Sequence, residues 1–186
     1  MMCLMKPIIV NIFGPPGSGK STGAAYVFSQ LKMNGVNCEL VTEYAKDKTW
    51  EHNMEALSNQ AYVFGKQFYR ISRCANQVDV IITDSPLLLS VIYNHDSRLG
   101  DTFNKMVLDV FNSYDNLNYL LVRTKPYNPI GRNQTEEESD DIGREIGKLL
   151  EDNSVNFVYS TGDIDGYTDI ADSVLNYLHS MEENYD

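Results

Sequence analysis

The sequence predicts an α/β fold, a five-stranded parallel sheet with helices on both faces in three layers. Three observations carry that expectation. Short apolar runs alternate with segments of helical spacing five times along 186 residues. The first run leads straight into a glycine-rich turn, Gly14-Pro15-Pro16-Gly17-Ser18-Gly19-Lys20-Ser21, and then into helical text. The third run, Val78-Asp79-Val80-Ile81-Ile82-Thr83, is almost continuously apolar, as a strand covered on both faces must be. The length suits one compact domain over residues 1–186, with enough chain to bury a core.

The elements follow in order. Pro7 to Phe13 is the first strand, and the helix from Thr22 stops at Asn34-Gly35. Asn37 to Thr42 alternates as a second strand and ends at Glu43. From about Glu51 to Asn76 one long helix is expected, because Leu57, Ala61, Phe64, Phe68, Ile71 and Ala75 recur at three- and four-residue spacings. The third strand is closed by Asp84-Ser85-Pro86, and Phe103 to Phe111 carries another helical stripe. Leu117 to Val122 is the fourth strand. A basic, turn-rich loop follows at about 123–135, then a helix from about Glu136 with Thr135 as its cap. Asn156 to Tyr159 is the fifth strand, and Asp169 to Met181 the closing helix.

The glycine-rich turn fits the pattern Gly-x-x-x-x-Gly-Lys-[Ser/Thr]. Between a strand and a helix, such a turn directs main-chain N–H groups at a phosphate chain, and the helix N-terminus favours the negative charge. The expected nucleotide site is therefore Gly14, Pro15, Pro16, Gly17, Ser18, Gly19, Lys20, Ser21 and Thr22. Lys20 would reach the terminal phosphates, and the Ser21 hydroxyl would ligate Mg²⁺. Ligands of an open parallel sheet sit beyond the carboxyl ends of its strands. Glu43, Asp84 and Arg123 each stand at such an end. Asp84 is placed to reach Mg²⁺ directly or through water, against the plainer role of a turn former before Ser-Pro. Glu43 is placed to take a proton from an attacking hydroxyl, and which of the two acids is the base stays open. Arg123, Lys125 and Arg132 bracket the basic loop, whose cations would close over transferring phosphate, with Gly131, Asn133 and Gln134 giving it mobility. On the long helix Gln60 and Gln67 share a face, so an amide there could read a base while Arg70 holds a phosphate. Ser160-Thr161-Gly162-Asp163 could hold adenine through main-chain groups.

Composition trims the choices. A net charge of −11 opposes broad affinity for nucleic acid. Cys3, Cys38 and Cys74 are scattered, without disulfide or metal spacing, and His52, His95 and His179 form no zinc set. No run is long enough to span a membrane, and the apolar start is interrupted at Lys6-Pro7, so a cytoplasmic protein is expected. The guanine-reading Asn-Lys-x-Asp signature is absent, since Asn104-Lys105 is followed by Met106-Val107.

The phosphate loop, Glu43, Thr83-Asp84-Ser85-Pro86, Arg123-Thr124-Lys125-Pro126 and the Arg132 loop together resemble the small P-loop nucleoside and nucleotide kinases. The resemblance covers their whole catalytic domain and implies the kinase-type P-loop NTPase fold with ATP and Mg²⁺ as cofactors. It implies Glu43 as base, Asp84 with Ser21 for the metal, Arg123 and Arg132 as lid cations, and Gln67 as the glutamine that reads the acceptor base. The wording Glu39-Leu40-Val41-Thr42-Glu43-Tyr44-Ala45-Lys46-Asp47 and Ile82-Thr83-Asp84-Ser85-Pro86-Leu87 is similar to phage-type P-loop kinases, including those that act on hydroxymethyluracil in DNA. Relatives acting on nicotinamide riboside share the Glu-Tyr-Ala start. The expected activity is ATP-dependent phosphorylation of a hydroxyl on a nucleoside, nucleotide or modified DNA base, with a homodimer left open. The alternatives are a P-loop NTPase serving as a nucleotide-dependent binding module, and a structural partner that keeps its nucleotide for stability.

Overall fold

The protein is described by a computed structural model covering residues 6–128, 130 and 134–183. Five strands, β1 (Ile8–Phe13), β2 (Cys38–Val41), β3 (Val80–Thr83), β4 (Asp115–Val122) and β5 (Val158–Thr161), form one sheet. Their order is β2-β3-β1-β4-β5, and every pairing is parallel. All five strands therefore end on one rim, with β1 central between β3 and β4. All six residues of β1 are buried, which its apolar content requires of a central strand.

Helices α1 (Lys20–Met33) and α8 (Ile164–Glu183) cover one face, where Val27, Leu31, Ile170 and Val174 pack on Val10 and Ile82. The other face carries α4 (Gln60–Ser72), α5 (Leu89–Ile92), α6 (Gly100–Phe111) and α7 (Glu136–Asp152), with Phe64, Ile71, Val107 and Ile146 against Phe13 and Ile81. This is the expected three-layer P-loop NTPase arrangement. The expected helix signals operate. Gly35, at φ 80°, ends α1 with Val36 N–H donating to the Leu31 carbonyl at 3.0 Å. Thr135 and Glu138 form a reciprocal capping box at α7.

Three expectations need correction. The helix expected over Glu51 to Asn76 is instead α3 (Met54–Ser58) and α4, preceded by α2 (Tyr44–Trp50). Asparagines interrupt it: Asn53 accepts from Ala56 N–H at 3.0 Å and Asn59 from Tyr62 N–H at 3.1 Å, each starting a new helix. The fifth strand is shifted along the chain, because the Asn156 carbonyl accepts from the Asn118 side chain while the ladder pairs Tyr119 with Val158. The closing helix begins at Ile164 rather than Asp169, since Asp163 accepts from the Gly166 N–H at 3.2 Å and caps it early. No described helix is long and apolar enough to cross a membrane.

Candidate active site

The phosphate loop is held from several sides. Gly17 and Gly19 take φ of 83° and 97°, which residues with a Cβ rarely adopt, so the chain can coil tightly before α1 begins. Pro15 and Pro16 carry no N–H and stiffen the first half of the loop. The Lys20 ammonium lies back over the loop and donates to the Gly14 and Pro15 carbonyls at 2.9 and 3.1 Å. Outside the loop, the Ser139 hydroxyl of α7 donates to the Pro16 carbonyl at 2.7 Å, and the Tyr167 phenol of α8 to the Gly19 carbonyl at 3.1 Å. A Cβ on Gly162 would lie 2.0 Å from the Ser18 carbonyl, so the 160–163 turn packs directly on the loop.

That loop forms one side of a cavity of about 590 Å³. Pro16, Gly17, Gly19, Lys20, Ser21 and Thr22 line it, whereas Gly14, Pro15 and Ser18 sit behind as support. Because β3 is hydrogen-bonded to both β1 and β2, the residues that follow it stand between the loop and the end of β2. Glu43 and Asp84 accordingly line the same cavity as Lys20. Asp84 is 3% exposed, and its Oδ1 accepts from the Glu43 main-chain N–H at 2.9 Å, which leaves its second oxygen toward the cavity side. Among the described residues the Glu43 carboxylate accepts no hydrogen bond, and it does not cap α2. Burial pushes the Glu43 carboxyl above the ordinary carboxylate range; nearby Lys20 works against that rise and Asp84 adds to it.

The far wall comes from α2, α3 and α4 with the turn after β3. Gln60 and Gln67 both reach the cavity, at 5% and 4% exposure, but their amides differ in what they do. Gln67 accepts from the Tyr44 N–H at 2.8 Å and donates to the Thr42 carbonyl at 3.4 Å, so it braces the turn that carries Glu43. The Gln60 amide makes no hydrogen bond among the described residues. Trp50, Met54 and Leu57 give this wall an apolar lip, with Trp50 59% exposed.

Other expected residues lie elsewhere. Arg70 does not line the cavity: its guanidinium pairs with Asp47, donates to the Thr42 carbonyl at 3.1 Å and lies over the Tyr44 ring. Arg123 also stands outside the lining, its Nη2 held by Asp140 at 2.5 Å and Glu136 at 3.3 Å with the guanidinium over Tyr127. Its Nη1 is buried with no hydrogen-bond partner among the described residues. Arg132, Gly131 and Asn133 lie outside the described residues, though Ile130 and Gln134 beside them reach the cavity. In the turn expected to hold adenine, Ser160 and Thr161 complete β5 and Asp163 caps α8.

Sequence reasoning missed Tyr93, Ser139 and Tyr167. Tyr93 lines the cavity, and burial raises its phenol well above the usual range with Glu43 and Glu145 adding to the shift. No spacing rule flags a lone Tyr after a short helix. Ser139 and Tyr167 lie more than a hundred residues from the loop they touch, although small residues at Gly19 and Gly23 were an available signal for a large neighbour packed there.

The family model described as an AAA domain matches residues 9–165. Among curated proteins, RecA of Anaplasma marginale (strain Florida) is 31% identical over 106 residues, 53% of this chain and 30% of that protein. RecA of Ehrlichia chaffeensis is 31% identical over 104 residues, 52% of this chain and 29% of that protein. The chain thus spans less than a third of the length of the curated relatives it matches. Among solved structures, the NadR protein in complex with NAD and AMP-PNP superposes over 92% of this chain and 49% of that one, with TM-score 0.65 and 17% identity. NadR in complex with NR gives TM-score 0.69 at 15% identity, covering 92% of this chain and 50% of that one. Deoxyadenosine kinase from M.mycoides with bound dATP gives 0.53 at 17% identity, covering 92% and 99%. At these identities the shared property is the fold. A strand, a glycine loop with its lysine and a helix, set in a five-stranded parallel sheet and matched by that family model over most of their length, place this chain in the AAA domain family, with a P-loop NTPase fold.

Proposed function

We propose that the protein is an ATP-dependent phosphotransferase that moves the γ-phosphoryl group to a hydroxyl of a nucleoside-like acceptor. One observation carries the reading: a carboxylate that accepts no hydrogen bond among the described residues, Glu43, faces the same cavity as the phosphate loop. Its raised pKa makes it a stronger proton acceptor than an ordinary carboxylate. In the transfer, Glu43 takes the proton of the acceptor hydroxyl and the acceptor oxygen forms a bond to the γ-phosphorus. The bond from that phosphorus to the β–γ bridging oxygen breaks, and ADP leaves with the electron pair. Lys20 and the loop N–H groups hold the phosphates as charge redistributes over their oxygens. The hard oxygen donors Ser21 and Asp84, both on the cavity wall, fit Mg²⁺, which when bound neutralises charge between the β- and γ-phosphates. This assigns Glu43 as base and leaves Asp84 to the metal and to orienting Glu43. Arg123, whose buried Nη1 has no hydrogen-bond partner among the described residues, and Arg132 are the lid cations of this reading.

The acceptor wall supports a flat ring, with apolar contact from Trp50 and Leu57 and an amide edge read by Gln60. The folds of NadR, solved with NR, and of deoxyadenosine kinase support small nucleosidic acceptors. The charge of −11 favours a free nucleoside over hydroxymethyluracil within DNA. A second reading, a nucleotide-driven binding module, draws on the AAA domain match and the likeness to RecA. Labelled ATP incubated with nucleosides, nucleotides and hydroxymethylated DNA tests these. Label in a free nucleoside is the expected result. Label only in DNA moves the acceptor into the polymer, and hydrolysis without any labelled acceptor supports the binding module.

A further inference from the structure

Two hydroxyls from the far end of the chain grip the outside of the phosphate loop. We propose that Ser139 and Tyr167 are positioning residues for the nucleotide phosphates, acting through the direction of two peptide planes. This rests on the nucleotide-binding half of the reading above and not on the identity of the acceptor.

The carbonyl and the N–H of a trans peptide point in opposite directions. The Pro16 carbonyl belongs to the peptide whose N–H is that of Gly17, and the Gly19 carbonyl to the peptide whose N–H is that of Lys20. Ser139, fully buried on α7, accepts no freedom of direction: its hydroxyl donates to the Pro16 carbonyl at 2.7 Å from behind the loop. Tyr167, 2% exposed on α8, donates to the Gly19 carbonyl at 3.1 Å from the opposite side. Tying both carbonyls outward turns the Gly17 and Lys20 N–H groups toward the cavity that these residues line. The Gly19 carbonyl also accepts the first α1 bond, from the Gly23 N–H at 2.8 Å, so Tyr167 reinforces a plane that the helix already sets. Among the described residues Ser139 alone holds the Pro16 carbonyl, and without it Gly17 leaves that plane free to rotate.

The surroundings are built around these contacts. A Cβ on Gly19 would lie 2.2 Å from the Tyr167 oxygen, and one on Gly23 would lie 2.7 Å from its ring. Tyr26 packs on the same ring at 6.2 Å between centroids. Gly143 brings α7 close enough that a Cβ there would meet Pro15 at 3.3 Å. Pro15 and Pro16 offer no N–H, so the donors that remain carry a larger share of phosphate recognition, and their aim matters more.

The test uses the full chain with Ser139→Ala and Tyr167→Phe, each removing one oxygen while keeping its packing. Calorimetry with Mg²⁺ measures affinity for inorganic triphosphate, a phosphate-only probe, and for adenosine, a probe without phosphate, beside the Tm of each variant. Ser139→Ala is expected to bind inorganic triphosphate about five- to tenfold more weakly and Tyr167→Phe about threefold more weakly, both with adenosine binding unchanged. Equal losses for both probes, triphosphate affinity of Ser139→Ala within about twofold of the parent protein, or a parent protein that binds no triphosphate would each overturn the proposal. If Ser139→Ala fails to fold, Ser139→Cys, which keeps the side-chain shape with only a weak donor, decides the matter by the same measurement. A parent protein that binds triphosphate and labels no acceptor would remove the phosphotransferase reading and leave the brace standing.

Discussion

The two halves of the cavity are built on opposite plans. The nucleotide half is one contiguous stretch, Gly14 to Thr22, wrapped by Lys20 from within and by Ser139 and Tyr167 from outside. The acceptor half is gathered from short helices and turns between residues 43 and 95, and two of its polar groups, the Gln60 amide and the Glu43 carboxylate, are left without hydrogen bonds among the described residues. The proposed nucleotide half is braced by these contacts, with the Ser18 hydroxyl its one buried side-chain group that has no hydrogen-bond partner among the described residues. A half proposed to recognise and activate a hydroxyl keeps its polar groups available, at a cost in stability.

The sharpest way to break this contrast is Glu43→Gln. Transfer is expected to fall by about 10²–10⁴-fold while affinity for ATP holds, read by steady-state kinetics beside direct nucleotide binding. Lys20→Ala should do the reverse in kind, weakening triphosphate binding and lowering transfer by about 10²–10³-fold with the acceptor wall intact. Should both variants lose nucleotide affinity alike, the two halves are not separable.

Sequence reasoning reached the first half almost whole, because strand, loop and helix are adjacent in the chain and their chemistry is local. The sheet was equally legible, since continuous apolar runs such as Val80 to Thr83 admit few other placements. The acceptor half was not. Asn53 and Asn59 read as ordinary polar positions on a helix until their side chains are seen capping new ones. Gln60 and Gln67 looked equivalent seven residues apart, and only the position of the Tyr44 N–H shows which amide is engaged. Arg70 read as a cation for phosphate, yet its acidic partner, Asp47, lies 23 residues away, beyond any helical spacing.

The glutamines give a finer probe. Gln60→Ala is expected to raise the acceptor KM about tenfold with little change in Tm, whereas Gln67→Ala should lower kcat and Tm together by loosening the turn that carries Glu43. If Gln67→Ala instead raised only the acceptor KM, the base-reading role would return to that residue.

The smallest expected effects concern protons. With the Glu43 carboxyl raised in the folded chain, the acid limb of the kcat/KM profile should lie above the ordinary carboxylate range. The folded protein holds this proton at pH values where the unfolded chain has lost it. Stability therefore falls as pH climbs from the ordinary glutamate value through the raised one, and the penalty is complete above it. Glu43→Gln removes the ionising group, so its Tm near neutral pH should exceed that of the parent, measured by calorimetric melting. A lower Tm would show that the ionised Glu43 carboxylate stabilises the fold.

The hydrogen bond from the main chain of residue 43 to Asp84 ties the fates of two acids that follow different strands. Any drift at position 84 displaces its neighbour as well, so substitutions at the two sites interact epistatically and their damage overlaps instead of multiplying. Gene libraries that randomise one of these codons at a time would therefore sample few active variants, and adaptation to a new acceptor is steered toward the helices of the opposite wall.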